Sequence, residues 1–113
     1  MTDSQPSARS MTTVSRNIAA EHPAFAGHFP GQPVLPGVLL LAEVLEAVLD
    51  LPSLAALLGP QPTLSAVKFL APVGPASTLF IRLQADPRGL RFEVRCAGVV
   101  VASGRMAPGA ALC

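Results

Sequence analysis

The chain has 113 residues, half of them apolar and only 13% charged, with a formal net charge of +1. Such a composition excludes a disordered chain and suits one domain with a modest core. Tryptophan and tyrosine are both absent, so stacking on nucleic-acid bases has little to work with and a nucleic-acid partner is not expected.

In chain order, residues 1–10 are small and polar with no periodicity, and read as a loose tail. From Thr12 to Ile18 the residues alternate in the manner of an edge strand. Ala19–Leu35 reads as a loop, because Pro30 and Pro33 withhold N–H donors and fix φ. Pro36 sits where a helix accepts its first proline, and the apolar run from Val38 carries a helix to about Leu51, ended by Pro52. A short helical turn is expected over Ser53–Leu58 with Ser53 as its cap, broken by Gly59-Pro60.

The remainder reads as strands. Thr63–Leu70 alternates imperfectly and is followed by a turn over Ala71–Pro75. Thr78–Ala85 leads into Asp86-Pro87-Arg88-Gly89, which carries strong turn chemistry. Leu90, Phe92, Val94 and Cys96 then alternate with Arg91, Glu93 and Arg95, so one face of that strand is wet. Ala97-Gly98 turns the chain into Val99–Met106, and residues 107–113 read as a second tail. A strand, a helix and four further strands make an α+β pattern with an antiparallel meander, in one domain over residues 11–106.

Charge is unevenly spread. Residues 1–61 carry two basic against five acidic side chains, a balance of −3, while residues 62–113 carry six against two, a balance of +4. The basic half suits an acidic partner. Cys96 and Cys113 do not form a disulfide framework, and no signal segment is visible, so a reducing, cytoplasmic compartment is expected. The apolar run 38–49 is interrupted by Glu43 and Glu46 and is too short to span a bilayer.

Chemistry is concentrated in Gly27-His28-Phe29-Pro30-Gly31-Gln32-Pro33-Val34-Leu35-Pro36-Gly37-Val38-Leu39-Leu40-Leu41. A histidine on a stiff loop can take a proton near neutral pH, and the free N–H groups of Gly37 and Val38 at a helix N-terminus can bind a carbonyl oxygen. His22 reads as a loop residue near the mouth of such a site. Two histidines six residues apart, with Glu21, make a poor zinc site, and no metal is expected. No phosphate loop or serine nucleophile elbow is present.

This stretch resembles the signature of the hotdog-fold (3R)-hydroxyacyl-acyl-carrier-protein dehydratases of the FabA/FabZ type. Val67-Lys68-Phe69 with Pro72-Val73-Gly74-Pro75 is a weaker echo of the same family. The short form His22-Pro23-Ala24-Phe25-Ala26-Gly27-His28 looks most like the small dehydratases of aryl-polyene pathways. The resemblance covers residues 12–106, and it implies an antiparallel sheet wrapped around one long central helix. It also implies a cofactor-free elimination of water from a 3-hydroxyacyl thioester carried by acyl carrier protein, and an assembly of two subunits, either identical or related. His28 would be the base, and the Gly37 N–H, with Val38, would polarise the thioester carbonyl. Phe29, Pro30, Gly31 and Pro36 would line the substrate's approach.

One departure stands out. The family's acid lies on the helix six residues after the proline of Pro36-Gly37, and Ala42 occupies that position. Glu43 is one residue on, rotated by about 100°. Glu46 is four residues beyond Ala42, on nearly the same face and about 6 Å deeper. On a helical wheel Leu40, Leu41, Val44, Leu45, Val48 and Leu49 cover one broad side, with Glu43, Glu46 and Asp50 as a polar stripe opposite. Three readings stay open: a dehydratase with Glu43 or Glu46 as relocated acid, a non-catalytic or partner-dependent acyl-thioester-binding subunit, and a thioesterase on the same fold.

Overall fold

The structure, a computed structural model, describes residues 11–19 and 35–109. Five strands and two helices run in the order β1 (Met11–Ile18), α1 (Gly37–Leu49), α2 (Pro52–Leu58), β2 (Thr63–Phe69), β3 (Ser77–Asp86), β4 (Gly89–Cys96) and β5 (Val99–Ala107). All pair antiparallel in a single sheet of order β1-β3-β4-β5-β2. The expected edge strand is β1. A meander is present only over β3-β4-β5, because β2 crosses to the far edge and pairs with β5 instead of β3.

Side-chain alternation decides which face of each strand packs. Leu79, Ile81 and Leu83 of β3 and Leu90, Phe92 and Val94 of β4 are buried, and so is Ile18 of β1. They form one cluster with Leu40, Val44, Ala47 and Val48, a stripe of i, i+4, i+7 and i+8 positions on α1. Each of these side chains other than Ala47 contributes about 1.5–3 kcal/mol on burial. The α1 stripe is narrower than the wheel implied. Leu49 is 57% exposed and belongs to a different side of the helix. Leu58 of α2 is buried in the same core. Ser53 does not cap α2: the helix starts at Pro52 with Leu51 in the cap position and no side-chain cap bond.

Two turns follow directly from local chemistry. At the β3–β4 hairpin Asp86 pairs with Gly89, and the Asp86 Oδ1 accepts the Arg88 N–H at 2.9 Å. A side chain at Gly89 would strike the Met106 carbonyl, because its Cβ position lies 2.3 Å from that oxygen. Across the strands the Arg105 guanidinium donates to the Asp86 Oδ2 at 2.7 Å. That bond, helped by the Arg88 and Gly89 backbone, holds the Asp86 carboxyl below its ordinary value. The β4–β5 turn takes Ala97 and Gly98 at φ of 52° and 80°, the left-handed pair that a tight hairpin demands.

The sheet is not regular. In β2, three residue steps from Ser65 to Lys68 oppose two steps of β5, from Arg105 to Ser103, and Ala66 adopts φ 53°. This is a β-bulge with one extra residue on the edge strand. Because side chains alternate with period two, the extra residue exchanges the faces of everything after it. Phe69, opposite the buried Ala102, is thereby turned toward the helix side, and Lys68, opposite Ser103, toward the outer side. No helix among the described residues is long and apolar enough to cross a membrane.

Candidate active site

The N-terminus of α1 is the centre of the site. Pro36, at φ −60° and ψ 145°, stands in the cap position, with no side-chain cap bond and no acidic residue in the first turn. Its carbonyl accepts the N–H groups of Leu39 and Leu40 at 3.0 and 3.1 Å. The Gly37 and Val38 N–H groups point out of the helix end, and among the described residues neither has a backbone partner. An oxygen carrying growing negative charge is stabilised at such an end. Entry to the helix is anchored by the Leu35 N–H, which donates to the Val73 carbonyl at 2.7 Å.

Around this helix end lies an apolar cavity of about 540 Å³, lined by Leu35, Leu40, Phe69, Leu70 and Val73 among others. Phe69 lies directly on Gly37. A Cβ at Gly37 would sit 2.8 Å from the Phe69 Cζ, so glycine is what lets the ring and the helix end meet. Phe69 remains 53% exposed, so the ring forms a wall of the cavity while part of it faces outward. Space of this size and apolarity suits a hydrocarbon chain with its polar end at the helix terminus.

Phe69 and the wall 70–73 were not singled out as site residues by the sequence. The signal that bears on them is the Val67-Lys68-Phe69 and Pro72-Val73 echo, which sets these residues beside the helix end once the bulge is in place. His28, with Phe29, Pro30, Gly31 and His22, lies outside the described residues. Gly37, Pro36 and Val38 are where the sequence placed them, at the head of α1.

The glutamates lie elsewhere. At 1.5 Å rise per residue Glu43 is about 9 Å and Glu46 about 13.5 Å along the axis from Gly37. Glu46 is 62% exposed and stands 3.7 Å from the Arg16 guanidinium of β1, which also pairs with Asp50 at 2.8 Å. Glu43 is half-buried. Ala42 falls on a stripe with Val38, Leu45 and Leu49, at i, i+4, i+7 and i+11 spacing. Val38 is 72% exposed and Leu49 57%, while Ala42 is half-buried and Leu45 packs partly against the core, so this row carries apolar side chains out to the surface at both ends of α1.

Comparison with known proteins gives the chain's family and fold. A family model described as ApeI dehydratase matches residues 4–105. The 3-hydroxyacyl-[acyl-carrier-protein] dehydratase FabZ of Gluconacetobacter diazotrophicus is 35% identical over 79 residues, which are 63% of this chain and 48% of that protein. FabZ of Pelotomaculum thermopropionicum is 35% identical over 83 residues, 70% of this chain and 58% of the relative. The chain thus spans about half the length of the curated relatives it matches. Among solved structures, the dehydratase heterocomplex ApeI:P from Xenorhabdus doucetiae superposes with a TM-score of 0.68 at 26% identity, covering 92% of this chain and 90% of that one. An uncharacterized protein from Erwinia carotovora subsp. atroseptica gives a TM-score of 0.69 at 25% identity over 92% of this chain and 86% of its own. The fold is the α+β hotdog fold.

Proposed function

The chain belongs to the ApeI-like dehydratase family, and from that premise we propose that it removes water from a (3R)-hydroxyacyl thioester presented by acyl carrier protein. The product is the trans-2-enoyl thioester, made in fatty acid or aryl-polyene synthesis. The observation that carries this reading is the helix N-terminus at Gly37, where N–H groups with no backbone partner among the described residues open into an apolar cavity under Phe69.

In this mechanism the His28 imidazole removes the proton α to the thioester carbonyl. Charge that moves onto the carbonyl oxygen is met by the Gly37 N–H, with Val38 beside it. The C–O bond at the β-carbon then breaks, its electron pair leaves with the hydroxyl, and an acid delivers the proton that makes water. No electrons are gained or lost, so the step needs no oxidant or reductant.

The acid in this reading comes from a second subunit. Ala42 has no proton to give, and it lies on the outward apolar row where another dehydratase subunit would pack. Glu46 is directed to Arg16 instead. The name of the Xenorhabdus doucetiae neighbour, a dehydratase heterocomplex, supports a partner that is related but not identical. A homodimer in which Glu43 serves as the acid is the second reading, favoured by its half-buried position one residue from Ala42.

The test is to add a (3R)-hydroxyacyl carrier protein to the purified chain and follow the enoyl product by mass. His28→Ala is expected to abolish turnover and leave the fold intact; full activity in that variant would remove the loop from the mechanism. Turnover by the chain alone that is lost in Glu43→Gln or Glu46→Gln would place the acid within this chain. Activity only after addition of a related dehydratase subunit would place it in the partner. Release of free carrier thiol without enoyl product would make the chain a thioesterase.

A further inference from the structure

On the side of the sheet away from α1, the strands enclose a shallow depression of about 440 Å³. Its walls carry four cations, Lys68 of β2, Arg82 of β3, Arg91 of β4 and Arg105 of β5, against the single carboxylate of Glu93. The pairing within it is incomplete. Glu93 is divided between Arg82 at 3.5 Å and Arg95 at 2.8 Å, and Asp86 holds Arg105 at 2.7 Å. Among the described residues Lys68 and Arg91 have no carboxylate partner.

Register makes this arrangement unfavourable in the free chain. Arg91 stands directly opposite Arg105 across β4 and β5, and like charges in that position repel. The bulge in β2 adds to the cluster, because it turns Lys68 to the outer face opposite Ser103. Four neighbouring strands therefore each bring a cation to one open concavity.

We propose that this outer-face depression docks an acidic segment of a protein partner. Guanidinium groups pair carboxylates in a two-bond fork, and Arg91 and Lys68, which have no carboxylate partner among the described residues, would each gain a counter-ion there. Extent favours a polypeptide over a single small anion. The lining residues come from all five strands, and four strand spacings of about 4.8 Å span about 19 Å. The surface lies on the opposite face of the sheet from the helix cradle, and the inference does not depend on the reaction proposed for that cradle.

The experiment uses the full chain and a fluorescein-labelled oligoglutamate as probe, with binding followed by anisotropy at low salt. Lys68→Glu combined with Arg91→Glu is expected to weaken binding about tenfold or more and to flatten its salt dependence. Arg88→Glu is the charge control. It lies in the β3–β4 turn outside the depression and is expected to leave affinity within about twofold. Circular dichroism reports that both variants are folded. Binding weakened equally per charge in the two variants would overturn the proposal, since net charge alone would explain it. So would absence of binding to the wild-type chain, or equal displacement of the probe by inorganic phosphate or by a DNA oligomer of matched charge.

Discussion

Gly37 illustrates how much one missing side chain decides. Its backbone has no unusual φ, so the requirement is for space: the Phe69 ring occupies the position a methyl group would take. Gly37→Ala is expected to stay within about 1 kcal/mol of the wild type in urea unfolding, because alanine's better helix propensity offsets the displacement of a half-exposed ring. Turnover is expected to fall about tenfold or more, since the methyl group and the displaced ring crowd the N–H donors. Asp86 makes a different kind of prediction. Its folded carboxyl lies below the ordinary value of 3.8, so the unfolded chain binds its proton more readily. The stability it contributes is complete above about pH 4 and is lost as pH falls through the lower, folded value. Asp86→Asn should therefore be less stable than the wild type at pH 7, with the gap closing in urea titrations toward pH 2.

At the scale of elements, alternation along β3 separates structural from surface positions. Ile81 is fully buried, while Gln84 lies on the outer face. Ile81→Ala is expected to cost about 2–5 kcal/mol in chemical unfolding, whereas Gln84→Ala should stay within about 0.5 kcal/mol. Equal effects at the two positions would mean that the outer face is also packed. In β2 the bulge serves two surfaces at once, carrying Phe69 to the helix end and Lys68 to the outer depression. Removing the extra residue by deleting Ala66 would exchange those two side chains between faces.

For the whole molecule, the row Val38, Ala42, Leu45 and Leu49 is the feature a lone subunit does not explain. Exposed Leu64, Phe69 and Leu70 along the β2 edge extend the apolar surface. Apolar area of this kind, beside a strand edge that has no partner among the described residues, is typically an interaction surface. Val38→Lys with Leu49→Lys is expected to shift the protein to single subunits in sedimentation velocity and to keep its circular dichroism spectrum. An unchanged assembly would assign the contact to the β2 edge instead.

Local chemistry was enough to foresee most of the elements. The β3–β4 and β4–β5 turns, the alternation in β4 and the start of α1 at Pro36-Gly37 all follow from residues within a few positions of one another. The departure at Ala42 was equally legible, because it is a matter of residue identity. What required the tertiary structure were relations between distant segments. The bulge depends on how β2 meets β5, so the imperfect alternation of Thr63–Leu70 did not disclose that Phe69 would rest on Gly37. The partner of Glu46 on α1 is Arg16, thirty residues away on β1, and a helical wheel does not contain that pairing. The same wheel merged the core stripe of α1 with its outward row, because hydrophobicity marks a face as apolar without saying whether this chain or another covers it.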